Sequence, residues 1–121
     1  MSESLIFSTS TELVRISRNA VVYISADGNY SSVHTADGCE YVLTLQLGQI
    51  ERRIADTADD NDKRFIRIGK SLIINREFIT LINPTRQKLV LSDCRSFRHE
   101  LSASREALKS LKDFIEKEET L

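Results

Sequence analysis

Phe65-Ile66-Arg67-Ile68-Gly69-Lys70-Ser71-Leu72-Ile73-Ile74-Asn75-Arg76 sets three cations in an otherwise apolar run. Phe65, Ile66, Ile68, Leu72, Ile73 and Ile74 can anchor the stretch in a core, whereas Gly69-Lys70-Ser71 has the small, polar character of a turn. The reading is strand, turn, strand, with Lys70 presented outward. A core-anchored turn of this kind can carry cations and hydrogen-bonding groups into a DNA groove without a helix. The plain alternative is a hairpin with a solvated lysine. Arg67, between two isoleucines, reads either as a phosphate contact or as a structural ion-pair partner.

Outward from this stretch the chain carries mostly strand signals. Residues 5–8, 13–16 and 20–25 are rich in β-branched and aromatic residues, and the third run ends at Asp27-Gly28, a dipeptide that closes tight turns. Residues 30–35 follow, and Asp37-Gly38 returns the chain into 41–45. The period then changes. Leu47, Ile50 and Ile54 give a short amphipathic helix over 46–55, begun by Thr44 or Gln46, with Arg52 and Arg53 facing away. Residues 56–64 hold four Asp and nothing apolar larger than Ala, as a solvated loop would. Strands at 79–82, 87–91 and 96–101 are separated by Asn83-Pro84-Thr85 and Ser92-Asp93-Cys94. Ala107, Leu108, Leu111, Phe114 and Ile115 form the stripe of a terminal helix of three or four turns. Ser102 or Ser104 would cap it, and a polar tail over 116–121 would fray.

Size and composition narrow the function. A chain of 121 residues suffices for one compact domain, and 40% hydrophobic with 29% charged residues is a globular composition. No apolar stretch approaches the roughly 18 to 20 residues that cross a bilayer, and the start lacks the basic end and apolar core of a signal peptide, so the expected compartment is the cytosol and no membrane is involved. The net charge of −1 hides an uneven distribution. Residues 1–62 carry four Arg against ten carboxylates, net −6, whereas residues 63–112 carry twelve basic residues against four acidic ones, net +8. Such a segment suits a polyanion, because Lys and Arg neutralise phosphates and release counterions.

Catalytic signatures are sparse. His34 and His99 are the only imidazoles, no serine lies in a nucleophile elbow, and the four glycines form no phosphate-cradling loop. Asp59, Asp60 and Asp62 lack the glycine and distal glutamate of a calcium loop. His34 with Cys39, and Cys94 with His99, are each five apart, wider than paired zinc ligands usually are. These features read as a non-enzyme with no metal and no cofactor.

Three segments in register resemble the LytTR domain, a bacterial DNA-binding domain of transcriptional response regulators. Residues 65–75 are similar to its run of Phe-hydrophobic-Arg, two variable residues, Ser, three hydrophobics and Asn. Residues 19–30 match its Tyr-Ile-x-Ala-x-x-x-Tyr segment through Tyr23, Ala26 and Tyr30, with Ser25 in place of an acidic residue. Ser104-Arg105 before Leu108 and Leu111 resembles its closing Ser-Arg and hydrophobic helix. The resemblance covers residues 11 to about 115. It implies a mainly β, elongated antiparallel fold of about ten short strands with two short helices, in which loops enter successive major grooves. It places Asn29 and Tyr30 at a first base-contacting position, Lys70 with Ser71 at a second, and Ser104 with Arg105 at a third. Glu106 stands where relatives can have a base-reading Arg, and sliding the alignment puts Arg105 there instead. Gly69 stands where a His or longer polar residue is usual. Arg67, Arg76, Arg98, Lys109 and Lys112 would supply phosphate contacts.

The partners so implied are double-stranded DNA, a second copy on paired sites and a signalling protein. With neither receiver nor membrane segment present, the single domain over 1–121 reads as either an excised domain or a stand-alone regulator, the start at Met1 favouring the second. The competing class is a protein-interaction module in which Tyr30, Phe78 and Phe97 form an apolar patch.

Overall fold

The structure, a computed structural model, describes residues 4–57 and 63–119. It is mainly β, with ten antiparallel strands and two α-helices among the described residues. The chain divides into two compact units, Met1–Arg76 and Glu77–Leu121.

In the first unit β1 (Ser4–Ser8) and β2 (Leu13–Ser17) form a hairpin. A five-stranded sheet follows, built from β3 (Val21–Asp27), β4 (Tyr30–Thr35), β5 (Glu40–Leu43), β6 (Phe65–Ile68) and β7 (Leu72–Asn75) in the order β5-β4-β3-β7-β6. Helix α1 (Leu47–Thr57) lies against β3 and β7. Its stripe of Leu47, Ile50 and Ile54 packs with Ile24, Val33, Leu43 and Ile73 from the sheet and with Leu5, Phe7 and Ile16 from the hairpin. Side chains alternate across a sheet, so Arg67, opposite Ile73 in the register, shares the α1 face while Ile66 and Ile68 point away.

Where β3 slips register between Val21 and Tyr23, the fully buried Asn75 donates from Nδ2 to the Val21 carbonyl at 2.8 Å. A bulge leaves ladder groups unpaired, and a buried carbonyl without a donor costs about 1–3 kcal/mol. Asn75→Ala is therefore expected to lower unfolding free energy by that amount in urea titration. A change below about 0.5 kcal/mol, the level of an ordinary surface substitution, would contradict this role.

The second unit holds β8 (Ile79–Asn83), β9 (Lys88–Ser92) and β10 (Arg98–Ser102) in the order β10-β9-β8, with α2 (Arg105–Glu119) packed on β8. Leu89, Leu91, Leu108 and Leu111 are buried. The Asp93 carboxylate closes the loop before β10, accepting from the Ser96 hydroxyl and from the backbone N–H groups of Arg95, Ser96 and Phe97. These bonds, the Ser96 hydroxyl foremost, hold its pKa well below the ordinary carboxylate value.

Several sequence expectations need correcting. The β3–β4 hairpin turns on Gly28-Asn29, not Asp27-Gly28, because Asp27 pairs with Tyr30. Gly28 alone has a left-handed φ of 63°, the pattern of a type II′ turn. Gln87, expected in a strand, sits in the β8–β9 turn at φ 54° and donates its N–H to the Pro84 carbonyl at 3.1 Å. Helix α1 runs on through Asp56 and Thr57, and of the loop expected after it residues 58–62, with Asp59, Asp60 and Asp62, lie outside the described residues. Arg53 is half-buried and donates to the Ser8 carbonyl of the hairpin at 3.5 Å, so it does not face away. Residues 116–119, expected to fray, continue α2. Phe114 is 40% exposed although it lies in the apolar stripe. Phe78 and Phe97 pack edge to face at 5.1 Å and are half-buried, so they do not form an open apolar patch.

Candidate nucleic-acid interface

In the first unit the site is assembled at one end of the five-stranded sheet. Strands β3 and β7 are antiparallel neighbours, so the turn that ends β3 and the turn that begins β7 emerge side by side. The Ala26 N–H donates to the Ser71 carbonyl at 2.9 Å, tying the two turns together by their backbones. Asn29 lies in one turn with Tyr30 beside it at the start of β4, Lys70 and Ser71 lie in the other, and all four are exposed. Tyr30 is 50% exposed, unusual for a large aromatic residue without a partner to cover it. Strand β5 also finishes at this end, so α1 starts beside Asn29.

The Lys70 turn is held from within. Gly69 has φ 59°, a left-handed conformation that strains most residues with a Cβ, which accounts for a glycine at this place. Arg67 donates from Nε to the Gly69 carbonyl at 3.0 Å and from one terminal nitrogen to the Lys70 carbonyl at 3.2 Å. Its other terminal nitrogen meets Glu51 Oε1 of α1 at 2.8 Å. Of the two readings open for Arg67, this geometry fits the ion-pair partner: the planar fork grips the turn on one side and the helix on the other. Lys70 itself is exposed and makes no side-chain hydrogen bond or ion pair among the described residues.

The Asn29 turn is held in a parallel way. Ser31, fully buried, donates from its hydroxyl to the Leu45 carbonyl at 2.7 Å, pinning the start of β4 to the residue before the α1 cap. Gln46 is that cap, and Gln49 accepts its backbone N–H at 2.8 Å, half of a capping box. The Gln46 side chain turns instead to Asn29, with Nε2 3.4 Å from Oδ1. Arg76, expected at phosphates, is half-buried and donates its backbone N–H to the Arg64 carbonyl at 2.7 Å.

In the second unit Ser104 is the N-cap of α2: its hydroxyl accepts from the Ala107 N–H at 3.1 Å. That is the physical reason for a serine at this place, since the first-turn amides otherwise lack partners. Arg105, Lys109 and Lys112 follow at spacings of four and three and so share one exposed helix face. Arg105 and Lys109 have no acidic partner among the described residues, whereas Lys112 is paired with Glu116, which raises its pKa. Arg98 on β10 shares Glu100 with Lys88, each at 3.4 Å, so part of its charge is met within the sheet. Glu106 lies in the first turn of α2, where a carboxylate complements the helix dipole.

Sequence reading missed Gln46 and Glu51 as supports, and gave Asn75 and Ser31 no task. Gln46 stood out only as a helix start. Its partner lies 17 residues away, and the Arg67–Glu51 pair is 16 apart, beyond any local pattern.

Comparison with known proteins agrees with this architecture. A solved LytTr DNA-binding domain, from a protein described as a methyl-accepting/DNA response regulator of Bacillus cereus, superposes with a TM-score of 0.63 at 19% identity, covering 95% of this chain and 98% of that one. The CO-responsive transcriptional regulator RcoM of Rhodospirillum rubrum is 43% identical over 54 residues, which are 45% of this chain and 20% of that protein. The chain thus spans about a fifth of the length of that relative. The profile of the LytTr DNA-binding domain matches residues 11–116, across both units, and the chain therefore belongs to the LytTR family of DNA-binding domains.

Proposed function

We propose that this chain is the sequence-reading part of a transcription regulator and binds double-stranded DNA through turns, not through a helix-turn-helix. Asn29, Tyr30 and Lys70 reach base edges from the turn end of the five-stranded sheet, with Ser71 beside them on the backbone. Arg105 enters a further groove segment from the start of α2. Arg76, Arg98, Ser104, Lys109 and Lys112 supply phosphate contacts and register, and both units act on one duplex as a single DNA-binding domain. Arg67 belongs to the support of the Lys70 turn. The observation that carries this reading is the pairing of two exposed polar turns at one sheet end, joined through Ala26 and Ser71. Contacts to phosphate set orientation, whereas groups on rigid turns that reach base edges carry discrimination.

Selection of binding sites from random duplexes, followed by footprinting, tests the reading. The expected result is a recovered consensus, protection of spaced sites on one face of the duplex, and affinity that falls steeply with salt, with a slope of about −0.9 per phosphate contact. Recovery of no consensus, with binding to no duplex at low salt, would favour a protein-interaction module instead.

A further inference from the structure

We propose that Gln46 determines which base edges Asn29 can read, by fixing the orientation of the Asn29 amide. The inference rests on the reading that Asn29 meets bases and adds to it a residue outside the recognition turns. An asparagine side chain is ambivalent, since its carbonyl accepts and its amine donates, and rotation of the amide exchanges the two. Gln46 removes that ambivalence. Its Nε2 lies 3.4 Å from Asn29 Oδ1, so the carbonyl is turned toward α1 and the amine is left facing away.

Gln46 is well held for this task. Its backbone N–H is taken by Gln49 Oε1 at 2.8 Å, its carbonyl accepts from the Gln49 and Ile50 N–H groups at 3.0 and 3.1 Å, and the preceding Leu45 carbonyl receives the buried Ser31 hydroxyl at 2.7 Å. A residue at a helix start commonly caps the helix with its own side chain. Here the backbone arrangement leaves the Gln46 side chain to Asn29. Both side chains are exposed, so in the free protein the contact competes with water and contributes little to stability. On a duplex that excludes water, the same contact decides which half of the Asn29 amide faces the bases.

The chemistry has a definite sense. With the carbonyl engaged by Gln46, Asn29 offers donors, which suit the acceptors of the major groove: guanine O6 and N7, adenine N7 and thymine O4. Glutamate at position 46 has acceptors only and would draw the Asn29 amine instead, turning the carbonyl outward to the amines of cytosine or adenine. Lysine at position 46 keeps a donor for the Asn29 carbonyl.

The test measures base preference at every position of a selected operator by competition binding, for the parent protein and for Asn29→Ala, Gln46→Glu, Gln46→Met and Gln46→Lys, with melting temperature followed for each. Asn29→Ala is expected to flatten preference at one position. Gln46→Glu should shift preference at that same position by about fivefold or more toward a donor-bearing base edge, Gln46→Met should flatten it, and Gln46→Lys should retain it. Uniform weakening by Gln46→Glu across all positions, as a bare negative charge would produce, overturns the inference while leaving the Asn29 contact intact. A shift at a different position also overturns it, since Gln46 would then read a base itself. If Asn29→Ala alters no position, the base contact of Asn29 fails and the inference fails with it.

Discussion

Replacing Phe7 with alanine is expected to lower the unfolding free energy by about 3–5 kcal/mol, the range for a buried aromatic residue cut back to a methyl group. Phe7 is 1% exposed and lies with Leu5 among Ile16, Ile50 and Ile54 of the first unit's core. The strand that carries it precedes residue 11, where the family match begins, so family membership alone gives no reason to expect the loss. The packing does, because β1 supplies two of the largest fully buried side chains. Urea unfolding followed by circular dichroism reads the change. Since the domain's total stability is of order 5–15 kcal/mol, the variant should also bind DNA weakly at 37 °C and recover on cooling. A loss below about 1 kcal/mol, the size of a typical point substitution, would mean that the hairpin is dispensable to the core.

Replacing Arg67 with alanine is expected to weaken operator binding roughly tenfold, equivalent to about 1.4 kcal/mol, with a much smaller effect on unfolding. The guanidinium joins the Gly69 and Lys70 carbonyls to Glu51, and without it the turn must be ordered at the moment of binding. Its side chain is 29% exposed and Glu51 50% exposed, so the ion pair itself adds little to folding. Arg67→Lys separates the two tasks an arginine could have here. A lysine keeps the charge but cannot bridge three acceptors with a planar fork. Loss of affinity in Arg67→Lys with an unchanged salt slope supports the clamp, whereas full affinity in Arg67→Lys and a slope reduced by about 1 in Arg67→Ala would make Arg67 a phosphate contact.

The parts of the fold that read clearly in the sequence share one property: their signal is local. The run from Phe65 to Asn75 sets apolar residues on both sides of Gly69-Lys70-Ser71 and forms β6, turn and β7 as that pattern requires. Leu47, Ile50 and Ile54 are the buried stripe of α1, and Ser104 caps α2. The misreadings arose where tertiary contacts override local preference. Asp27-Gly28 and Gly28-Asn29 are equally good turn dipeptides, and the pairing of Asp27 with Tyr30 decides between them. Gln87 adopts a positive φ that its residue type disfavours, because its N–H closes on Pro84. Helix α1 extends to Thr57, whose hydroxyl accepts from the Arg18 guanidinium at 2.5 Å, a partner 39 residues away. The candidate site divides in the same manner. Lys70 was legible as a turn residue and Asn29 and Tyr30 became candidates only through the family resemblance, but the polar tethers from Gln46 and Glu51 to the two turns became visible only with the chain folded.

The most direct test of the central claim compares Lys70→Ala with Lys109→Ala on a selected operator and on versions of it altered one base pair at a time, across a range of salt. Lys70→Ala is expected to lose about 1–3 kcal/mol of discrimination at one base-pair position while the salt slope changes little. Lys109→Ala should weaken binding to all versions alike and reduce the slope by about 1. Retained discrimination in Lys70→Ala, or the same uniform weakening from both substitutions, would contradict a division in which Lys70 on its turn reads a base and Lys109 on α2 holds a phosphate.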